Sequence, residues 1–337
     1  MKSEFMLNVH GVGVRVEGPA KIVEWLRHDY GYFEGVASGV KLTVKADVAV
    51  PDLSKEPDVS ASLYHEDYVA YDSGGIRYVV YFNGAFCVYE PGNSLMTVTA
   101  SDLSVLYDVL HTALESKLGD LLDGKGLHRV HALAFTVDSF PVVVLLPVGG
   151  GKTTLALALL KREGVRLISE DTPLVSRDGR IFAFPSRLGV RNRDEAKSFE
   201  GNVRTFQRAG HGEKTLVSAE AFSDKIQKEA GPPYVLILGS RRSKGGLVFS
   251  PSGKFAALPR LLKNMILGLE LPQALAYFMG LSFRENLSRL PSFWGRGVAA
   301  LRLLNYSSIY SASFGSDIDQ SVDMLIGEVR KKCPRKN

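Results

Sequence analysis

The sequence predicts an α/β protein of mixed α+β character, with a β-rich lobe over residues 1–126 and a mixed lobe over residues 127–337. Three observations lead there. Residues 5–100 carry short apolar runs separated by Gly-Gly and Asn-Gly turns. A long amphipathic stretch follows over 101–122. After it, an apolar run, three consecutive glycines and an apolar helical pattern come in immediate succession over 142–160. At ~100–200 residues per domain the chain has room for two cores.

Along residues 5–17, Phe5, Leu7 and Val9, then Val12, Val14 and Val16, alternate with polar residues, the period of half-buried strands. Pro19 opens a helix to Tyr30 with Ile22, Val23 and Leu26 on one face. Strand-like runs at 40–50, 60–71, 76–82 and 85–89 are punctuated by Gly74-Gly75 and Asn83-Gly84. Ser101 or Asp102 can cap the helix that ends near Leu122, whose Leu106, Leu110, Leu114 and Leu118 share one side. Beyond the loop at 123–126, strands are expected at 130–137 and 141–147 around an Asp138-Ser139 turn. A helix at 153–162 stops at Glu163-Gly164. Further strands are expected at 165–169, 180–184 and 234–239, and near 309–314. Helices are expected at 260–279, 284–289, 296–304 and 317–331, and residues 191–230 read as polar loops.

Hydrophobic residues make up 45% of the chain and charged residues 23%, a globular rather than a disordered balance. The net charge of +5 is dispersed except for the tail around Arg330-Lys331-Lys332. That pattern describes a solvated end and argues against a nucleic-acid partner. Cys87 and Cys333 are too few for a disulfide framework and form no metal-ligand spacing. The first residues lack the apolar core of a signal peptide. The most apolar later stretch, 258–281, is broken by Arg260, Lys263, Glu270 and Pro272. The expectation is a cytoplasmic protein without a membrane partner.

The chemistry concentrates at Leu146-Pro147-Val148-Gly149-Gly150-Gly151-Lys152-Thr153-Thr154. A strand, a glycine loop and a helix are the context of a phosphate-binding P-loop. The glycines let backbone N–H groups curl around phosphate oxygens, and the helix N-terminus adds partial positive charge. Lys152 is expected to reach the β- and γ-phosphates of ATP, and Thr153 to hold Mg²⁺. Val148, Gly149, Gly150, Gly151 and Thr154 complete the expected nucleotide contacts. The usual pattern G-x-x-x-x-G-K-[ST] is met except at its first glycine, where Leu146 stands.

Glu170 and Asp171 follow the apolar run at 165–168, and acidic residues at a strand tip beside a P-loop can hold Mg²⁺. One carboxylate can serve the metal while the other takes a proton from an attacking hydroxyl. A surface turn is the competing reading of Glu-Asp-Thr-Pro. His131 lies in the apolar run before the P-loop strand, and by spacing alone such a histidine reads as a core residue.

From His131 through Asp171 the sequence resembles the catalytic domain of HPr kinase/phosphorylase and its relatives. A histidine opens the first strand at the family's interval before the last P-loop glycine, and Glu170-Asp171 stands where the family has Asp-Asp. The Lys152-Thr153-Thr154-Leu155 run is also similar to ATP-dependent phosphoenolpyruvate carboxykinase. The resemblance is specific over 127–190 and extends less specifically over 76–126 and 300–326. It implies a P-loop lobe with a mixed sheet and phosphoryl transfer from ATP to a hydroxyl. It further implies Mg²⁺ on Thr153, Glu170 and Asp171, a carboxylate base from that pair, and His131 facing the acceptor phosphate. An oligomer is also implied.

Three departures limit what carries over. Leu146 replaces the first glycine, Glu170 replaces the first aspartate, and no match to the HPr-kinase signature run follows the acidic pair. HPr is therefore not the expected substrate, and phosphorolysis does not carry over from the resemblance. Further cations for the γ-phosphate can come from Arg187, Arg191, Arg241, Arg242 or Lys214, and the loop at 191–215 can act as a lid. The leading expectation is an ATP-dependent kinase acting on a hydroxyl of a protein, peptide or small molecule. The alternatives are a catalytically silent ATP-binding module and a carboxykinase-like lyase.

Overall fold

In the computed structural model, residues 2–190, 193–196, 199, 201–208, 212–266 and 290–332 are described. Strands β1 (Lys2–Val9) and β2 (Val12–Pro19) pair antiparallel through a two-residue turn. His10 and Gly11 both take positive φ there, 49° and 80°, the backbone that matches strand twist. Helix α1 (Ala20–Tyr30) buries Ile22, Val23, Leu26 and Tyr30, the face expected from its spacing. It carries the chain over to β3 (Val40–Val48), parallel to β2. Then follow β4 (Leu63–Tyr64), β5 (Tyr68–Ser73), β6 (Ile76–Tyr81), β7 (Ala85–Glu90) and β8 (Leu95–Ala100). The eight strands make one mixed sheet in the order β1-β2-β3-β8-β7-β6-β5-β4. Helix α2 (Leu103–Gly124) is capped by Asp102, whose carboxylate accepts from the N–H groups of Ser104 and Val105 at 2.8 and 3.0 Å.

The chain divides into two compact units. Met1–Leu122 with Phe199–Glu220 belongs to the first, and Asp123–Ser198, Ala221–Pro272 and Pro291–Asn337 make up the second. The second unit begins with β9 (Leu127–Arg129), then β10 (Leu133–Val137) and β11 (Phe140–Leu145). The strand expected at 130–137 is thus interrupted. The N–H of His131 donates to Asn264 O and that of Ala132 to Asp171 O, which takes both out of the strand ladder. Helix α3 (Lys152–Leu160) and β12 (Val165–Ser169) follow, then the short β13 (Leu174–Ser176), β14 (Ile181–Phe182) and β15 (Leu188–Val190), and the single turn α4 (Arg193–Ala196).

Residues 191–230 are not simply loops. They contain an antiparallel hairpin of β16 (Val203–Arg208) and β17 (Gly212–Val217), a 3-10 segment at Ala219–Lys225, and β18 (Glu229–Ala230). Polar composition hides the hairpin because its stabilisation comes from partners distant in sequence. Phe206 packs edge-on against Tyr107, ring centres 4.7 Å apart, and the Arg204 guanidinium lies 4.4 Å from the same ring. The fully buried Asp29 accepts from Arg204 at 3.3 Å and from the Tyr107 hydroxyl at 2.5 Å. An aromatic pair of this kind adds about 0.5–1.5 kcal/mol beyond its buried area.

The chain continues through β19 (Tyr234–Arg241), β20 (Val248–Pro251), α5 (Lys254–Leu261), α6 (Leu290–Asn305), β21 (Ser307–Phe314) and α7 (Ile318–Lys332). Helix α5 begins six residues before the expected start at 260, and α6 begins before the expected 296. The helix expected at 284–289 and most of the one at 260–279 fall outside the described residues. The second unit's main sheet has the order β12-β10-β11-β19-β21-β20. Neighbours β11, β19 and β21 are parallel, whereas β10 is antiparallel to both β11 and β12. Strands β12, β11 and β19 therefore end at one edge, and β10 begins at that same edge. Among the described residues no helix is long and apolar enough to cross a membrane.

Candidate active site

That shared edge collects the residues singled out in the sequence. The glycine loop follows β11, Glu170 and Asp171 follow β12, Arg241 ends β19, and His131 stands just ahead of β10. The carboxyl ends of parallel strands are where open α/β sheets bind ligands. Here the reversed β10 adds a residue from its amino end. A cavity of about 210 Å³ is lined by residues 148–154 together with His131, Glu170, Asp171, Gly189, Glu195 and Arg241.

Each of the three glycines has its own steric reason. Gly149 and Gly151 take φ of +72° and +87°, a region that L side chains rarely occupy. A Cβ on Gly150 would come within 2.7 Å of the Pro147 carbonyl oxygen. Helix α3 starts at Lys152 without a side-chain cap, so its first N–H groups remain available at the cavity. A bare helix N-terminus behind a loop with no Cβ at three successive positions fits phosphate oxygens.

Leu146 does not disturb this cradle. Its side chain is 1% exposed and packs over β19, where a Cβ on Gly239 would lie 2.6 Å from Leu146 Cδ2. The first glycine of the usual pattern is replaced by a core residue, and a glycine on the neighbouring strand makes room for it. Leu146→Gly is expected to lower the free energy of unfolding by about 3–5 kcal/mol, as other large-to-small core changes do. It is not expected to tighten nucleotide binding. Guanidinium unfolding beside an ATP titration checks both, and an unchanged unfolding midpoint overturns the packing argument.

Inside the cavity Lys152 is nearly enclosed, and its Nζ lies 2.7 Å from His131 Nε2 and 3.5 Å from Asp171 Oδ1. An ammonium group only donates, so His131 Nε2 accepts and its proton sits on Nδ1. Nδ1 faces Asp171 Oδ1 at 3.2 Å. Thr153 Oγ1 donates to Glu170 Oε1 at 2.5 Å. The Asp171 side chain is 40% exposed and opens to the cavity.

The two carboxyls are pushed in opposite directions. Burial, then the charge of Asp171, drives Glu170 up to about 7 against the opposing Thr153 hydroxyl and Lys152. Burial also works to raise Asp171, but His131 and Lys152 outweigh it and hold the carboxyl below its ordinary value. Neighbouring acids separated in this way can divide their roles at neutral pH.

Thr153, Glu170 and Asp171 supply only oxygen donors, the set that suits Mg²⁺. Of the additional cations, Arg241 lines the cavity, with its guanidinium 3.6 Å from where a Gly151 Cβ would project. Arg187 and Arg242 are not among the lining residues. Lys214 lies in β17 of the other unit, and Arg191 falls outside the described residues. Gly189 in β15 and Glu195 on α4 also line the cavity, and neither carries a motif that marks it in the sequence. No protein-family model matches this chain, and no curated protein matches its sequence.

Proposed function

We propose that the chain is an ATP-dependent phosphotransferase of the HPr-kinase-like type, its second unit a P-loop lobe, transferring the γ-phosphoryl group to a hydroxyl. The observation that carries this reading is the meeting of Lys152, His131, Asp171 and the Thr153–Glu170 pair in one cavity beside the glycine loop. A silent nucleotide-binding module needs the loop alone. The carboxylates and the oriented histidine are what transfer adds.

The N–H groups of residues 149–154 and Lys152 hold the phosphates. On ATP binding Lys152 exchanges His131 and Asp171 for phosphate oxygens, which leaves Asp171 ionised and open to an acceptor. The acceptor oxygen bonds to the γ-phosphorus as the bond to the β–γ bridging oxygen breaks. That oxygen keeps the electron pair and leaves with ADP, while the hydroxyl proton passes to Asp171. His131 orients the Asp171 carboxylate through Nδ1. Arg241 adds a cation beside Gly151, where charge spreads in the transition state. Mg²⁺ bound by Thr153 and Glu170 would supply charge neutralisation of the phosphates and leave Asp171 to the proton.

The test is ADP release with Mg²⁺ and ATP, with and without hydroxyl-bearing acceptors. Acceptor-stimulated release is the expected result, and tight ATP binding with no turnover under any acceptor favours the silent module.

The opposed carboxyls also predict a pH dependence. Between the ordinary value of 4.5 and about 7, the folded chain holds a proton on Glu170 that the unfolded chain has released. Its contribution to stability therefore falls as pH rises through that window and is constant above it. Asp171 runs the other way, its contribution present above the unfolded value and lost as pH falls through the folded one. A metal ion needs the Glu170 carboxylate, so Mg²⁺ affinity is expected to rise about tenfold per pH unit below neutrality and then level off. Mg²⁺ titrations on either side of pH 7 check this, and Glu170→Gln should flatten the profile.

A further inference from the structure

On the reading of this cavity as a phosphotransferase site, we infer that the acceptor is a hydroxyl compound bearing an ammonium group, recognised by Glu195. The glycine loop and Lys152 take the phosphates, and Arg241 sits against Gly151 at that same end. Thr153, Glu170 and Asp171 provide the metal donors and the base, and His131 is turned to Lys152 and Asp171. With Val148 and Thr154 belonging to the phosphate cradle, Gly189 and Glu195 remain of the lining residues, and Gly189 has no side chain.

Glu195 is half-buried on α4, and among the described residues no cation pairs with it. Its cavity already holds two other carboxyl groups and, on this reading, receives a polyphosphate, so a further carboxylate there repels acidic acceptors and attracts cationic ones. A carboxylate that meets an ammonium in a partly dry cleft makes a charge-assisted hydrogen bond, stronger than any a neutral hydroxyl offers it. Such an acceptor is held by its charged end on Glu195 while its hydroxyl faces Asp171.

The test compares three small acceptors of like size: ethanolamine, ethylene glycol and glycolate, which are cationic, neutral and anionic beside the same hydroxyl. Acceptor-stimulated ADP release by the wild type is expected to rank them in that order. Ethanolamine should exceed ethylene glycol roughly ten- to a hundredfold in kcat/KM, the range of one charge-assisted hydrogen bond. Glu195→Gln should collapse that ratio towards one, and Glu195→Lys should favour glycolate. Equal use of the three, a wild-type preference for glycolate, or no stimulation by ethanolamine overturns the assignment. So does a Glu195→Gln variant whose only change is a raised Mg²⁺ requirement, because Glu195 then serves the metal. ATP binding by the wild type separates the two levels. If ATP binds and another acceptor is phosphorylated, only the ammonium class fails. If ATP does not bind, the phosphotransferase reading fails with it.

Discussion

Lys152→Ala is expected to reduce turnover by a factor of about 10²–10⁴, the scale seen when one preorganised charge is removed from a transferring phosphoryl group. ATP affinity should fall at least about tenfold, since one charge-assisted hydrogen bond contributes roughly 1.5–3 kcal/mol. The reason lies in where the ammonium is held. Lys152 is the first residue of α3, so its backbone N–H and its side chain can serve one anion. Its Nζ lies 2.7 Å from His131 Nε2 and 3.5 Å from Asp171 Oδ1, in the cavity that the glycine loop borders. The substitution also deprives Asp171 of its nearest cation, and the affinity loss must be separated from any loss of fold. A thermal unfolding midpoint on the same preparation does this, and Lys152→Met, which keeps the stem, provides a second check. Unchanged ATP affinity and turnover in a folded Lys152→Ala protein overturn the P-loop assignment.

The elements that were legible in the sequence are those whose stabilisation is local. The β1–β2 alternation, the Asp102-capped α2, and the strand, loop and helix at 140–160 each carry their own period and punctuation. The β16–β17 hairpin does not. Its Arg204 and Phe206 are ordered by Asp29, Trp25 and Tyr107 from far earlier in the chain. Likewise, residues 130–132 look like strand in their apolar run, yet their N–H groups are taken by Pro173, Asn264 and Asp171 carbonyls.

Within the site, the same division holds. The glycine loop and the acidic pair are legible because each is contiguous in sequence and chemically distinctive. His131 was legible only through the family resemblance, since a lone histidine in an apolar run carries no chemical signature. The sheet topology explains its presence at the cavity: an antiparallel β10 between two parallel strands begins where they end. Glu195 and Gly189 had no signal at all, because nothing in the short elements α4 and β15 states which cavity they will border. Leu146 shows the converse. It reads as a defect in a motif until Gly239 is seen beneath it, a compensation between strands about ninety residues apart.

Asp171→Asn is expected to leave ATP affinity within about an order of magnitude while removing transfer by roughly 10²–10⁴, the contribution of a positioned general base. The amide keeps the shape and an accepting oxygen for His131 Nδ1–H, so the fold and the histidine tautomer should survive. What it loses is the ability to take a proton. Glu170 is poorly placed to substitute, because its Oε1 is bound by the Thr153 hydroxyl and burial holds a proton on it up to about pH 7. The prediction therefore distinguishes the two carboxylates: Glu170→Gln should act mainly through the Mg²⁺ requirement, Asp171→Asn through kcat at saturating metal. Single-turnover transfer measured with excess Mg²⁺ separates them. A wild-type rate in Asp171→Asn makes Asp171 a structural residue and moves the base elsewhere. A rate restored by raising Mg²⁺ assigns Asp171 to the metal instead. Loss that no metal concentration repairs, with ATP still bound, leaves proton transfer as the function of this carboxylate.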